Sequence, residues 1–129
     1  MHKTFLTLAV LFGAVAVALG AFGAHGLKKA VPPEAIAVFQ TGVQYQMYHS
    51  LALLATGLIY ERFRIAWTRW AGYLFVCGII LFSGSLYVIT ALRAAGHATP
   101  TIVGIMTPVG GLFFICGWLS LLIAILKWR

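Results

Sequence analysis

The chain is 129 residues long, with 62% hydrophobic residues and only 9% Asp, Glu, Lys or Arg, whereas a soluble domain carries about 25% charged and about 45–50% apolar residues. Too few charges remain to coat a water-facing surface, so a cytosolic globule is excluded, and so is a disordered chain, because such chains are poor in apolar residues. The net charge of +7 does not point to nucleic acid, since the nine Lys and Arg are scattered in ones and twos rather than clustered into a basic groove; the composition is that of a membrane protein.

A helix needs about 20 mainly apolar residues to cross about 30 Å of hydrocarbon, and four stretches qualify. The first, Phe5 to Ala24, contains no charge. A cleaved signal peptide is the alternative here, with Lys3 as its charged start and Ala14-Val15-Ala16 as the cleavage residues, but signal h-regions run to about 7–15 residues and this run is longer. Ala16, Gly20 and Ala24 lie four apart on it and form a small-xxx-small ridge that allows close helix approach. Val31-Pro32-Pro33-Glu34 then reads as a stop followed by a helix start, with Pro33 and Glu34 in the first turn. Ala35, Ile36, Val38 and Phe39 give that segment an apolar face, so a short interfacial helix is expected before the second span, with a bend at Gly42. Lys28 and Lys29 are expected to meet headgroup phosphates.

The second span, Thr41 to Tyr60, is uncharged but polar in its first half; Thr41, Tyr45, Tyr48, His49 and Ala52 share a stripe at helical spacing. The third, Trp70 to Leu92, carries Ser83-Gly84-Ser85-Leu86-Tyr87. The fourth, Ile102 to Leu126, holds Thr107-Pro108-Val109-Gly110-Gly111 near its start, and Pro108 either kinks it there or sits in its first turn. Glycine recurs at sevens along two of its tracks, Gly104 with Gly111 and Gly110 with Gly117. No linker or repeat divides the chain. The expected architecture is an all-α integral membrane protein, a single transmembrane domain over residues 1–129 built as a four-transmembrane-helix bundle (spans 5–24, 41–60, 70–92 and 102–126).

Lys and Arg in short loops set orientation. One side holds Lys3, Arg62, Arg64, Arg69, Lys127 and Arg129, the other Lys28, Lys29 and Arg93, which favours both termini in the cytoplasm. Tyr60, Phe63, Trp67, Trp70, Tyr73 and Trp128 would form an aromatic belt at the inner interface. With this orientation the polar residues of all four spans converge in the outer leaflet. Thr41, Tyr45, Tyr48, His49, Ser83, Ser85, Tyr87 and Thr107 are the candidate ligand-binding residues, for a small polar ligand, a lipid or a transported solute. The alternative is that they are interhelical hydrogen bonds of about 0.6 kcal/mol each, in a structural or assembly subunit that meets copies of itself or another membrane protein through its Gly and Ala faces.

Both acids, Glu34 and Glu61, fall in loops, so the intramembrane carboxylate common in proton-coupled carriers is missing. His25, His49 and His97 share one side, but His97 is in a loop and His49 lies about 10 Å deeper than the end of its span. No carboxylate or cysteine joins them at ligand spacing, so no metal and no cofactor is expected; a haem or quinone on His25 and His49 is the weakest option. Cys77 and Cys116 are expected as small packing residues. Ser83-Gly84-Ser85 is not a nucleophile elbow, and no enzyme is expected.

Gly20-Ala21-Phe22-Gly23-Ala24-His25-Gly26-Leu27, Tyr45-Gln46-Met47-Tyr48-His49, Phe82-Ser83-Gly84-Ser85-Leu86-Tyr87, Thr107-Pro108-Val109-Gly110-Gly111 and Gly117-Trp118 together resemble the domain-of-unknown-function 423 family, which is similar to eukaryotic transmembrane protein 256. The motifs run in order over nearly the whole chain. The resemblance implies a small four-helix protein of the bacterial cytoplasmic (inner) membrane and brings no activity or site residue with it. Reporter fusions test the orientation: those at Arg129 and within 62–69 are expected to read cytoplasmic and those near Gly96 external, and the reverse pattern overturns it.

Overall fold

The computed structural model of the chain describes residues 1–128; Arg129, counted above with the inner-side charges, lies outside them. Helix α1 spans Lys3–His25, α2 Pro33–Ile59, α3 Ala66–Gly78, α4 Gly84–Ala94 and α5 Thr101–Leu126. A π-helical segment, Ile79–Ser83, joins α3 to α4 without a break, and a single 3-10 turn, Leu27–Lys29, follows α1.

The helix ends follow the local chemistry. The His2 ring accepts the Phe5 N–H and caps α1. Pro33 and Glu34 open α2 as the first turn, where a missing N–H costs nothing and an acid meets the positive end of the helix dipole. Gly96, at φ +76°, takes the left-handed conformation that ends α4, while the His97 N–H turns back to the Leu92 carbonyl at 2.8 Å.

Three helical stretches are long and apolar enough to cross a membrane: Lys3–Lys29, Ala66–Ala94 and Thr101–Leu126. Helix α2 is not among them, although its 27 residues exceed the length required. Gln40, Gln44, Gln46 and His49 dilute its apolar content. Gln44 is exposed, while Gln46 and His49 are buried and hydrogen-bonded where α1, α3, the π segment and α4 meet the helix. Its buried residues, among them Ala35, Phe39, Gly42, Gln46, His49, Leu53 and Thr56, recur at threes and fours as one face. Of the expected stripe Thr41, Tyr45, Tyr48, His49 and Ala52, the last two are buried, whereas Tyr45 and Tyr48 are substantially exposed. No separate interfacial helix precedes this segment. Residues 33–40 are the first turns of α2, and Gly42 serves packing rather than bending: a Cβ there would sit 2.9 Å from the Tyr87 ring.

Helices α1 and α2 form one hairpin, and α3 with the π segment forms another with α5; α2 joins the two. Phe5, Leu53, Phe75, Ile79 and Phe114 fill the shared core, and a smaller cluster of Leu27, Val31, Ala35 and Phe39 closes the far end. Glycines set the closest approaches. The ridge on α1 runs through Ala16, Gly20 and Gly23 rather than Ala24, which is exposed. Gly110 is more demanding, because a Cβ there would strike the backbone of Phe82 in the π segment. Pro108 lies inside α5, about two turns after its start at Thr101, and the helix continues through it. Cys77 is exposed on the outer surface of α3, so it does not fill the core as expected; Cys116 is partly buried, and both are free thiols.

The N-terminus, the 60–65 connection and the end of α5 meet at one end of the molecule. The His2 N–H donates to the Gly57 carbonyl at 2.9 Å, the Arg62 guanidinium lies 4.4 Å from the Trp128 ring centroid, and the Lys127 ammonium lies 5.5 Å from that of Trp67. The Met1 ammonium meets Glu61 at 2.9 Å and its hydrogen bond holds that carboxyl below its usual range. Both groups are largely exposed, so the pair adds little stability.

Side-chain hydrogen bonds tie the helices together internally. The Gln46 amide donates from Nε2 to the Phe12 carbonyl at 2.8 Å and accepts the Tyr87 hydroxyl on Oε1 at 2.7 Å, linking α1, α2 and α4. The Ser83 hydroxyl donates to the Gly42 carbonyl at 2.7 Å, and Ser85 shares a 2.6 Å hydrogen bond with Thr107. Among the described residues no buried side-chain nitrogen or oxygen lacks a partner.

Two outcomes follow for stability in detergent. Gly110→Leu forces α5 off the Phe82 backbone and is expected to destabilise by about 1–3 kcal/mol or more, whereas Gly104→Leu, which meets open space, leaves the melting temperature nearly unchanged; equal effects would refute the close contact. Gln46→Leu strands the Tyr87 hydroxyl, so adding Tyr87→Phe should recover part of the loss, with a double-mutant coupling of about 0.6–1.7 kcal/mol.

Candidate functional site

The eight candidate residues divide by what they touch. Thr41 donates to the Ala37 carbonyl of its own helix at 3.0 Å, and Tyr48 projects outward, 55% exposed. Ser83, Ser85, Tyr87 and Thr107 lie in the interhelical hydrogen bonds just described. Tyr45 and His49 alone of the eight line the main pocket of the molecule, a groove of about 620 Å³ between α2, the π segment and α5.

Several local features open this groove. The π segment brings Phe82 to its wall, and such one-turn insertions are frequent at functional sites. Pro108 and Gly111 of α5 face it: proline leaves the Gly104 carbonyl without its i→i−4 donor, and Gly111 lacks a side chain where a Cβ would stand 3.8 Å from the Phe82 ring. Leu112 and Ile115 form the outer lip and are largely exposed, and Trp118, whose indole N–H reaches the floor, is half-exposed, so the groove opens sideways rather than along the bundle axis. In a bilayer that direction is hydrocarbon.

His49 lies at the floor. Its ring stacks on Phe114, centroids 3.5 Å apart and planes within 6°. Nδ1 is 2.7 Å from the Tyr45 carbonyl, which can only accept, so Nδ1 carries the hydrogen. Nε2 is 3.1 Å from Trp118 Nε1, which can only donate, so Nε2 presents its lone pair. The two bonds together specify one neutral tautomer and fix the imidazole between two helices. Tyr45 rests against Phe82, centroids 4.8 Å apart.

This arrangement offers little to a metal. Both His49 nitrogens are engaged, the His25 Nδ1 donates to the Ala21 carbonyl at 3.1 Å, and no group of three or more His, Cys, Asp or Glu suited to a metal ion occurs among the described residues. The site is instead an aromatic slot with one donor–acceptor pair at its base. Trp118, which lines the groove, is not among the candidate residues read from the sequence; Gly117-Trp118 enters there only as one of the motifs of the family resemblance.

Residues 19–111 match the family model described as Protein of unknown function (DUF423). The chain is similar to UPF0382 membrane protein YwdK of Bacillus subtilis, 39% identical over 127 residues that cover 98% of both chains. It is similar also to a UPF0382 membrane protein of Haemophilus influenzae, 42% identical over 94% of this chain and 92% of the relative. A third, from Schizosaccharomyces pombe, is 39% identical over 93% of this chain and 99% of the relative. No solved structure matches. Three apolar helices of spanning length and near full-length kinship with proteins named for the membrane agree: the chain is a membrane protein and belongs to the DUF423 family.

Proposed function

We propose that the protein binds a small amphipathic molecule that reaches it through the bilayer, in the groove floored by His49 and Trp118. In this reading α2 is the fourth crossing, both termini face the cytoplasm of a bacterial cell, and one transmembrane domain holds the whole site. The observation that carries the reading is a hydrogen-bonded His–Trp pair, set in an aromatic wall, beneath an opening that faces lipid. A histidine at membrane depth is costly unless it is partnered or used. A helix interrupted by a π segment, opposite one carrying a proline, suits a cavity better than plain packing. Volume and lining also fit: ligand sites are largely apolar clefts of about 300–1,000 Å³ with a few placed polar groups. Nothing in the groove arranges a nucleophile or an acid–base pair, so binding or carriage fits better than catalysis.

The second reading is an assembly subunit. A Cβ at Gly13, Gly84 or Gly104 would meet open space, and small residues with such room on three elements allow another membrane helix to approach closely.

Gly111→Leu separates the two, because it fills the groove at a position with only ordinary contacts nearby. Solvent extracts of the purified wild type, analysed by mass spectrometry, are expected to contain a lipophilic molecule that the equally well-folded Gly111→Leu protein lacks. Identical extracts, together with cross-linked oligomers that Gly104→Leu abolishes, would favour assembly instead.

A further inference from the structure

We infer that the ligand of this groove is a lipophilic carboxylic acid of the fatty-acid type, a conclusion that rests on the groove being a ligand site. The inference comes from the hydrogen-bonding character of the floor. The Tyr45 carbonyl forces the hydrogen onto His49 Nδ1, which leaves Nε2 as an acceptor, and 3.1 Å from it stands the Trp118 Nε1–H, a donor. When the two are parted slightly they present, side by side, one acceptor and one donor. A protonated carboxyl group has the complementary edge: its O–H donates to Nε2 while its carbonyl oxygen accepts from Nε1. Insertion exchanges one internal hydrogen bond for two and leaves no polar atom of the floor unpaired.

Other headgroups match less well. A quinone or ester carbonyl only accepts; it takes the Trp118 hydrogen and strands Nε2 in an apolar slot, which is costly. A phosphodiester brings a full negative charge, and the pocket residues include no Lys or Arg to balance it. An alcohol has both functions, but on a single oxygen that must wedge between the two nitrogens. The acid also suits the route, since its neutral form is the one that dissolves in hydrocarbon. If the proton passes to Nε2, the result is an imidazolium–carboxylate pair, still of zero net charge and still joined to Trp118. Leu112 and Ile115 at the lip would guide the acyl chain outward into the bilayer.

The test uses the full chain in phosphatidylcholine nanodiscs, with palmitic acid, methyl palmitate and hexadecanol as probes at equal membrane fraction. Palmitic acid is expected to raise the melting temperature and to shift one indole N–H resonance of a protein labelled at tryptophan, identified as Trp118 because Trp118→Phe removes it; Trp67, Trp70 and Trp128 serve as internal controls. Trp118→Phe keeps the aromatic wall and removes the donor, and should weaken the acid about three- to tenfold, one hydrogen bond's share; in the wild type the acid should bind more tightly than the ester, which leaves Nε2 unpaired. Equal binding of ester or alcohol overturns the acid assignment and leaves the groove a ligand site. Acid binding that leaves the Trp118 resonance unmoved also overturns it. If none of the three probes binds, and wild type and Gly111→Leu yield the same extracts, both the assignment and the pocket fail.

Discussion

Within hydrocarbon a polar group has no water to fall back on, and this protein is organised around satisfying that constraint. Gln46 is where it acts most strongly. Its single amide serves a carbonyl of α1 and a hydroxyl of α4 at once, so three helices are held in register by one side chain. Further ties, Ser83 to Gly42, Ser85 to Thr107 and Trp118 to His49, extend the same solution toward the π segment and α5. Each bond is modest on its own. Their value is specificity: apolar helices slide past one another at little cost, whereas a displaced amide or hydroxyl loses its only partner.

Close packing depends on these ties and also makes them possible. Gly42 allows the Tyr87 ring to approach α2, which brings its hydroxyl within reach of Gln46 one turn further on. Gly110 lets α5 lie on the backbone of the π segment, and the neighbouring Gly111 leaves the groove open rather than filled. Two adjacent glycines thus have opposite effects, one closing an interface and the other keeping a space.

The helices and most of their ends were legible in the sequence because length, hydropathy, Pro33 and Glu34 act locally. The meeting of Ser83 and Tyr87 with α2, and of Ser85 with Thr107, could also be anticipated from their placement in the same half of the predicted spans. The rotation of α2 could not. Threonine, tyrosine and histidine look like an inward stripe, yet tyrosine tolerates the lipid boundary while Gln46 does not, so the true inner face passes through the amide. The π segment was invisible for a related reason, since no local pattern in Ile79–Ser83 marks it and its close contact, the Phe82 backbone against Gly110, is with a residue far along the chain. The His49–Trp118 pair joins residues 69 positions apart, and no local pattern announces such a contact.

The polarity of α2 has a consequence for how the chain enters the membrane. A segment is admitted to the bilayer according to its own apolar content as it leaves the ribosome, before any tertiary partner has been made. Helix α2 falls short by that measure, whereas α1, which precedes it, passes easily. Its Gln46 acquires hydrogen-bond partners only once α1 and α4 are beside it, and α4 is synthesised later. As the proposed fourth crossing, nascent α2 would therefore enter as the second arm of a hairpin, drawn in by α1, with its final commitment waiting for the second half of the chain.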